Sequence, residues 1–141
     1  MPGTRHLRAN FGEGAMFHKK NIKKAINRLK RGSSPGIDQI NADLVLLLAD
    51  DEAFLDHLQD LFTSWHANGK MLGDASRTAM MTTLFKDKPG AERSNWAMYR
   101  PVSVTTIIYR VYGGCLEQCL SPAMKYILGD PQVGYQRGRK L

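Results

Sequence analysis

Thr78-Ala-Met-Met-Thr-Thr-Leu-Phe85 is short, rich in threonine and bounded by residues that break regular structure, which is typical of a β-strand. A second extended segment, Tyr99-Arg-Pro-Val-Ser-Val104, is indicated by its proline, because the residue before a proline is biased away from helical backbone. Proline cannot donate a hydrogen bond to a sheet, so we expect either an edge strand or a proline at the entry to the strand. Residues 86–96 have the composition of a loop.

Apolar residues recur at helical spacing over residues 17–31, 42–68 and 105–119. The turn Gly32-Ser-Ser-Pro-Gly36 ends the first predicted helix, and Gly69 ends the second. We expect the second helix to be interrupted near Asp50-Asp51. A further short helix begins at Ser121-Pro122, with proline in its first turn.

Composition indicates one globular domain or part of a larger one. The 141 residues are 43% hydrophobic and 23% charged, and the longest apolar run, Leu44–Ala49, is far shorter than a bilayer requires. We expect a soluble intracellular protein without a membrane partner, and composition does not separate nucleus from cytoplasm. The two cysteines and four scattered histidines lack the spacing of a zinc site.

Charge is distributed unevenly along the chain. The total is +7, with nine basic and two acidic residues in 1–41, one basic and seven acidic in 42–76, and ten basic and four acidic in 77–141. This pattern predicts a polyanionic partner that both ends contact, with the acidic middle turned to solvent. One face of the first predicted helix carries Lys19, Lys20, Lys23 and Lys24. That face either contacts phosphates or is simply solvated, and the sequence leaves both interpretations open.

Several motifs follow one another in a particular order. They are Ser34-Pro-Gly-Ile-Asp38, the long helix ending at Gly69, the strand closing on Leu84-Phe85-Lys86, Tyr99-Arg-Pro-Val-Ser103, and Gln132-Val-Gly-Tyr135 with Arg137-Gly-Arg139. In this succession they resemble the N-terminal half of a reverse transcriptase of the non-LTR retrotransposon class, related to group II intron reverse transcriptases. The resemblance covers roughly residues 20–140.

The resemblance implies an incomplete α+β fold. It is mainly helical with a small antiparallel sheet, as in the fingers and the start of the palm of a right-hand polymerase. Residues 17–141 would form this partial reverse transcriptase domain, after a flexible lead-in over residues 1–16. The implied activity is RNA-directed DNA polymerisation, a nucleotidyl transfer. The implied partners are an RNA template, a DNA primer, a deoxynucleoside triphosphate, and the palm and thumb of the complete enzyme.

The resemblance also implies specific binding residues. Lys86 and Arg100 correspond to the family's triphosphate-contacting lysine and arginine, and an arginine can hold two phosphate oxygens at once. Arg137 and Arg139 are candidate nucleic-acid backbone contacts, beside glycines that allow close approach. Lys86 is otherwise an ordinary loop lysine, and the two C-terminal arginines are otherwise a frayed basic end.

The metal-holding part of the family pattern is not found in these 141 residues. In the family, aspartates after the Gln-x-Gly-aromatic segment and in an aromatic-x-Asp-Asp turn hold the divalent ions. We therefore expect no bound cofactor and no catalysis from this chain alone, and Mg²⁺ in the complete enzyme. Leu48-Ala-Asp-Asp51 looks like the catalytic turn, but it precedes the Arg-Pro-Val-Ser motif and lies in a helical pattern. We interpret it as a helix break. The family's usual Pro-x-x-Trp is also missing after Gly69.

Two other functions agree with the same sequence. One is a non-catalytic remnant that retains nucleic-acid-binding surfaces, and the other is a protein-interaction domain. In the second case the acidic, aromatic-rich helix from Phe54 to Trp65 would dock a partner.

Overall fold

The computed structural model of the protein describes residues 13–69 and 77–127. The helices are α1 (Glu13–Met16), α2 (Lys19–Ile26), α3 (Ala42–Leu47), α4 (Glu52–Asn68) and α5 (Ile107–Ile127). The strands are β1 (Met80–Phe85) and β2 (Tyr99–Val104), with a 3₁₀ turn at Trp96–Met98. The predicted α+β class, mainly helical with a small antiparallel sheet, is confirmed.

The sheet is a two-stranded antiparallel hairpin. Met80 pairs with Val104 at one end of the sheet, and Phe85 pairs with Tyr99 at the other. Pro101 lies opposite Thr83, and a proline is tolerated there because both strands of a two-stranded sheet are edges. The first five residues of β1 are exposed, so that strand is stabilised mainly by its pairing with β2.

The core is built from the helices. α2 packs against both α4 and α5, and its buried side chains are Ile22, Ala25 and Ile26. The rings of Phe17, Phe62 and Tyr112 contact one another with centroids 5.4–5.9 Å apart. The predicted apolar stripe of the second helix is largely in this core, with Leu55, Leu58, Phe62 and Trp65 buried. These four buried side chains are therefore not available to dock a partner, whereas Phe54 and Leu61 of the same helix are half-buried.

The starts of α3 and α4 and the end of α4 are fixed by capping residues. Asp51 Oδ1 accepts a hydrogen bond from Phe54 N at 2.7 Å, so the Leu48-Ala-Asp-Asp51 segment is the predicted helix break and supplies the N-cap of α4. Asn41 caps α3 in the same way. Gly69 ends α4 with φ of 62°, in the left-handed region where glycine is unstrained.

The loop after α2 packs closely on the start of α5. A Cβ atom on Gly36 would lie 2.6 Å from Thr106 Cα, so only glycine fits at this position. The Arg110 guanidinium donates hydrogen bonds to the Ser34 carbonyl at 2.8 Å and to the Thr105 carbonyl at 2.9 Å. These contacts explain the Ser-Pro-Gly motif physically, as the segment that covers the N-terminal end of α5.

Several boundaries differ from the sequence predictions, and β1 begins at Met80 instead of Thr78. The first predicted helix, residues 17–31, is helical only over Lys19–Ile26, because Arg28 N donates to the Ala25 carbonyl and Leu29 N to the Ile26 carbonyl, three residues back instead of four. Residues 13–16 form a helical turn with Met16 buried, whereas the sequence suggested a flexible lead-in through residue 16. No separate helix starts at Ser121-Pro122, because α5 continues through Pro122 to Ile127.

Helix α5 contains two adjacent glycines with different surroundings. A Cβ on Gly114 would lie 3.1 Å from the Ala25 Cβ, whereas one on Gly113 would meet nothing within 4 Å. Of these two glycines, only Gly114 therefore marks a close contact between α5 and α2. Among the helices of residues 13–69 and 77–127, none is long and apolar enough to cross a membrane.

Candidate nucleotide and nucleic-acid interface

Lys86 and Arg100 lie on one face of the β-hairpin. Leu84 pairs with Arg100, and residues opposite each other in an antiparallel pair share a face. Lys86 N donates to the Met98 carbonyl at 2.7 Å, which extends the ladder by one residue beyond Phe85. Since strand side chains alternate between faces, Lys86 lies on the same face as Leu84 and Arg100.

The two cations are held differently. Lys86 is half-buried, and its Nζ donates to the Ala97 carbonyl at 2.8 Å. Arg100 is exposed, and its guanidinium has no hydrogen bond or ion pair with any residue that the structure describes. Each therefore retains donors for an anion, because an ammonium has three N–H groups and a guanidinium five.

An aromatic cluster lies beside the base of the same hairpin. Phe85 and Tyr99, on the face opposite Arg100, meet edge to face with centroids 5.4 Å apart, and the Trp96 ring lies 6.0 Å from that of Tyr99. The Arg93 guanidinium lies 5.5 Å from the centroid of Phe85, within cation–π range. Phe85 and Tyr99 are half-buried, whereas Trp96 is 83% exposed.

The lysines of α2 divide into two pairs. Lys19 Nζ lies 2.6 Å from Asp56 and 2.9 Å from Glu52, and Lys23 forms an ion pair with Asp50. Hydrogen bonds to Asp56 and then Glu52 raise the pKa of the Lys19 ammonium, and the hydrogen bond to Asp50 raises that of Lys23.

Lys20 and Lys24 are exposed and form no ion pair within the described part of the chain. The acidic middle does face solvent, since the side chains of Glu52, Asp56 and Asp50 are 76%, 58% and 81% exposed. Three of its carboxylates pair with α2, which leaves Lys20 and Lys24 as the cations of this helix best able to meet phosphates.

The remaining sequence candidates either lie outside the described residues or have structural roles. Arg137, Arg139 and the Gln132-Val-Gly-Tyr135 motif lie outside the described residues. Asp38 Oδ1 accepts a hydrogen bond from Ile40 N at 3.3 Å and so stabilises a turn. Arg110 joins the Ser34 loop to α5 through its hydrogen bonds to the Ser34 and Thr105 carbonyls.

The titratable groups of the core offer no metal or nucleophilic centre. No group of three or more His, Cys, Asp or Glu residues in the described ranges is arranged to hold a metal ion. The two cysteines are free thiols one helical turn apart. Burial raises the pKa of Cys115 to about 12 and also raises that of Cys119, so both thiols are neutral near pH 7.

Two features of the site were not identified from the sequence. Trp96 and Arg93 lie in a segment that we assigned only as a loop, and a tryptophan beside cations is the signal that could have singled them out. The role of Arg110 depends on the approach of the Ser34 loop to α5, which local sequence does not reveal. Neither known protein families nor curated protein sequences gave a match to this chain.

Proposed function

We propose that the chain is the fingers portion of an RNA-directed DNA polymerase of the reverse transcriptase type, in which Lys86 and Arg100 bind the triphosphate of an incoming nucleotide. The observation that supports this proposal is the common face of the two cations on the β1–β2 hairpin. The order of the motifs along the sequence supports the proposed family. The hairpin face that carries Lys86 and Arg100 is the proposed binding surface.

The spacing of the two cations suits a triphosphate. Lys86 lies opposite Met98, so Arg100 is its diagonal neighbour across the strands, about 7–8 Å away between Cα atoms. Long side chains at that distance can reach adjacent phosphate groups of one ligand. Arg100 supplies a planar fork for two oxygens, and Lys86 supplies a point charge. In a complete enzyme such cations stabilise the charge that develops on the leaving pyrophosphate.

The template contact is proposed for the free lysines of α2. Lys20 and Lys24 are four residues apart and therefore neighbours on the helix surface. Their charges are not neutralised by the acidic residues that engage Lys19 and Lys23. Contacts of this kind position a phosphate backbone without reading sequence.

Calorimetric titration of the chain with deoxythymidine mono-, di- and triphosphate tests the nucleotide site. The triphosphate should bind tightest, and Arg100→Ala should weaken its binding about 10- to 150-fold, since a charge-assisted hydrogen bond contributes about 1.5–3 kcal/mol. Arg100→Lys should recover only part of the loss, because lysine lacks the planar fork.

Arg31→Ala is the matched control, because Arg31 is an exposed arginine outside the hairpin and the charge change is the same. It should leave the triphosphate affinity close to that of the parent chain. Equal losses for Arg31→Ala and Arg100→Ala would indicate a diffuse response to net charge. That result would remove the support for a nucleotide site and favour a non-catalytic nucleic-acid-binding module.

A further inference from the structure

Trp96 is an exposed aromatic side chain on a well-held backbone. Its side chain is 83% exposed, yet the turn that carries it is hydrogen-bonded on several sides. Asn95 Oδ1 accepts from Ala97 N at 3.0 Å, and Lys86 Nζ donates to the Ala97 carbonyl. Tyr99 Oη donates to the Arg93 carbonyl at 3.0 Å. The indole is therefore presented by a defined turn, while most of its surface remains in water.

The surroundings of Trp96 are aromatic and cationic. Tyr99 and Phe85 continue the aromatic surface inward, and Arg93 lies over Phe85. Residues 77–104, the hairpin and its connection, carry five basic and two acidic side chains. An apolar protein segment would match the rings but not this charge. A ligand that combines flat rings with negative charge would match both.

We infer that Trp96, backed by Tyr99, is a stacking site for an unpaired base of single-stranded nucleic acid, with Arg93, which lies over Phe85, contacting an adjoining phosphate. Every base has a π-face, so stacking of this kind is tolerant of sequence. The inference rests on the proposed function only in taking nucleic acid as the ligand. It concerns the aromatic cluster, whereas the triphosphate site uses the face of Arg100.

The test compares strands that differ only in their bases. The chain is titrated with oligothymidylate, oligouridylate and an abasic deoxyribose strand of the same number of phosphates, at one salt concentration. The two base-bearing strands distinguish DNA from RNA, and stacking requires the abasic strand to bind about 5- to 100-fold more weakly. Tryptophan emission should also be quenched by the base-bearing strands, since the chain contains only Trp65 and Trp96 and Trp65 is buried.

Variants assign the effect to one ring. Trp96→Ala should bind oligothymidylate as weakly as the parent chain binds the abasic strand, and Trp96→Phe should recover part of the affinity. Leu47→Ala is the matched control, because Leu47 is 80% exposed and belongs to α3, not to the hairpin. It should leave the affinity unchanged. Triphosphate titration of the same Trp96→Ala protein should be unaltered, so failure of this inference and failure of the nucleotide site are separable.

Two outcomes would overturn the inference. One is equal affinity of the parent chain for the abasic and base-bearing strands, which would mean that phosphates alone are bound. The other is concentration-dependent self-association that Trp96→Ala abolishes without changing oligonucleotide affinity. Sedimentation of both proteins would detect it, and it would assign the exposed ring to a contact between copies of the chain.

Discussion

Replacing Gly36 by alanine should destabilise the fold more than replacing either glycine of α5. The added Cβ would lie 2.6 Å from Thr106 Cα, 2.7 Å from Thr106 N and 2.9 Å from Thr105 C. All three are backbone atoms at the start of α5, so no side chain can rotate away. The loop must therefore move from α5, which also stretches the hydrogen bond from Arg110 to the Ser34 carbonyl.

The expected change in unfolding free energy at Gly36 contrasts with the changes expected at the two glycines of α5. Overpacking costs about 1–3 kcal/mol, and the rigid contacts of Gly36 place it at about 3 kcal/mol. Gly113→Ala should instead stabilise the protein by about 0.5–1 kcal/mol, because the new Cβ meets nothing within 4 Å and alanine is the better helix former. At Gly114 the same gain is offset by the 3.1 Å approach to the Ala25 Cβ, so we expect a change within about 1 kcal/mol.

Urea unfolding followed by circular dichroism measures all three variants against the parent chain. The expected order of unfolding free energy is Gly113→Ala highest, Gly114→Ala near the parent, and Gly36→Ala lowest by about 3–4 kcal/mol relative to Gly113→Ala. If Gly36→Ala is as stable as Gly114→Ala, the close approach of the Ser-Pro-Gly loop to α5 is not what the structure describes, and the explanation of that motif fails.

Arg110→Ala should lower the unfolding free energy by about 2 kcal/mol, because it removes charge-assisted hydrogen bonds to backbone carbonyls. Arg110→Lys should recover only part of this loss, and an Arg110→Ala variant as stable as the parent chain would contradict the prediction. At pH 8 a thiol reagent should modify the half-buried Cys119 before the buried Cys115, as peptide mapping would show. Because burial raises the pKa of Cys115 from 9.0 to about 12, its neutral thiol stabilises the fold below pH 9, and that contribution should disappear as the pH rises from 9 to 12 in pH-dependent unfolding. Replacing Lys20 and Lys24 by glutamine should flatten the dependence of log affinity for single strands on log salt by about 1.4, at about 0.7 per phosphate contact, whereas the two ion-paired lysines should contribute less.

The elements that local sequence specifies agree with the structure. The strand at Tyr99–Val104 begins and ends as predicted, because Pro101 constrains its own backbone and that of the residue before it. The break between α3 and α4 and the stop at Gly69 likewise depend on side chains within one turn of the boundary. Each of these predictions needs only neighbours in the chain.

The features that were missed depend on residues far apart in sequence. Lys19 reaches Glu52 and Asp56 only because α2 packs against α4, and no local pattern reports that pairing. Helix α5 continues through Pro122 although proline lacks the N–H that the interior of a helix uses, so the local signal for a new helix was overridden.

The candidate site shows the same division. Sequence motifs singled out Lys86 and Arg100, but their common face depends on strand register, which pairs Leu84 with Arg100. The exposure of Trp96 depends on how the loop folds back on Tyr99, so its residue type alone could not assign it a role.

A photoreactive group on the γ-phosphate of a deoxynucleoside triphosphate tests the proposed nucleotide site most directly. After irradiation and proteolysis, mass spectrometry identifies the labelled peptides of the chain. We predict labelling within the β1–β2 hairpin that excess unlabelled triphosphate suppresses and that Arg100→Ala greatly reduces, while Arg31→Ala leaves it intact. Labelling confined to α2, or hairpin labelling unaffected by Arg100→Ala, would contradict the assignment of Lys86 and Arg100 as the triphosphate-binding pair.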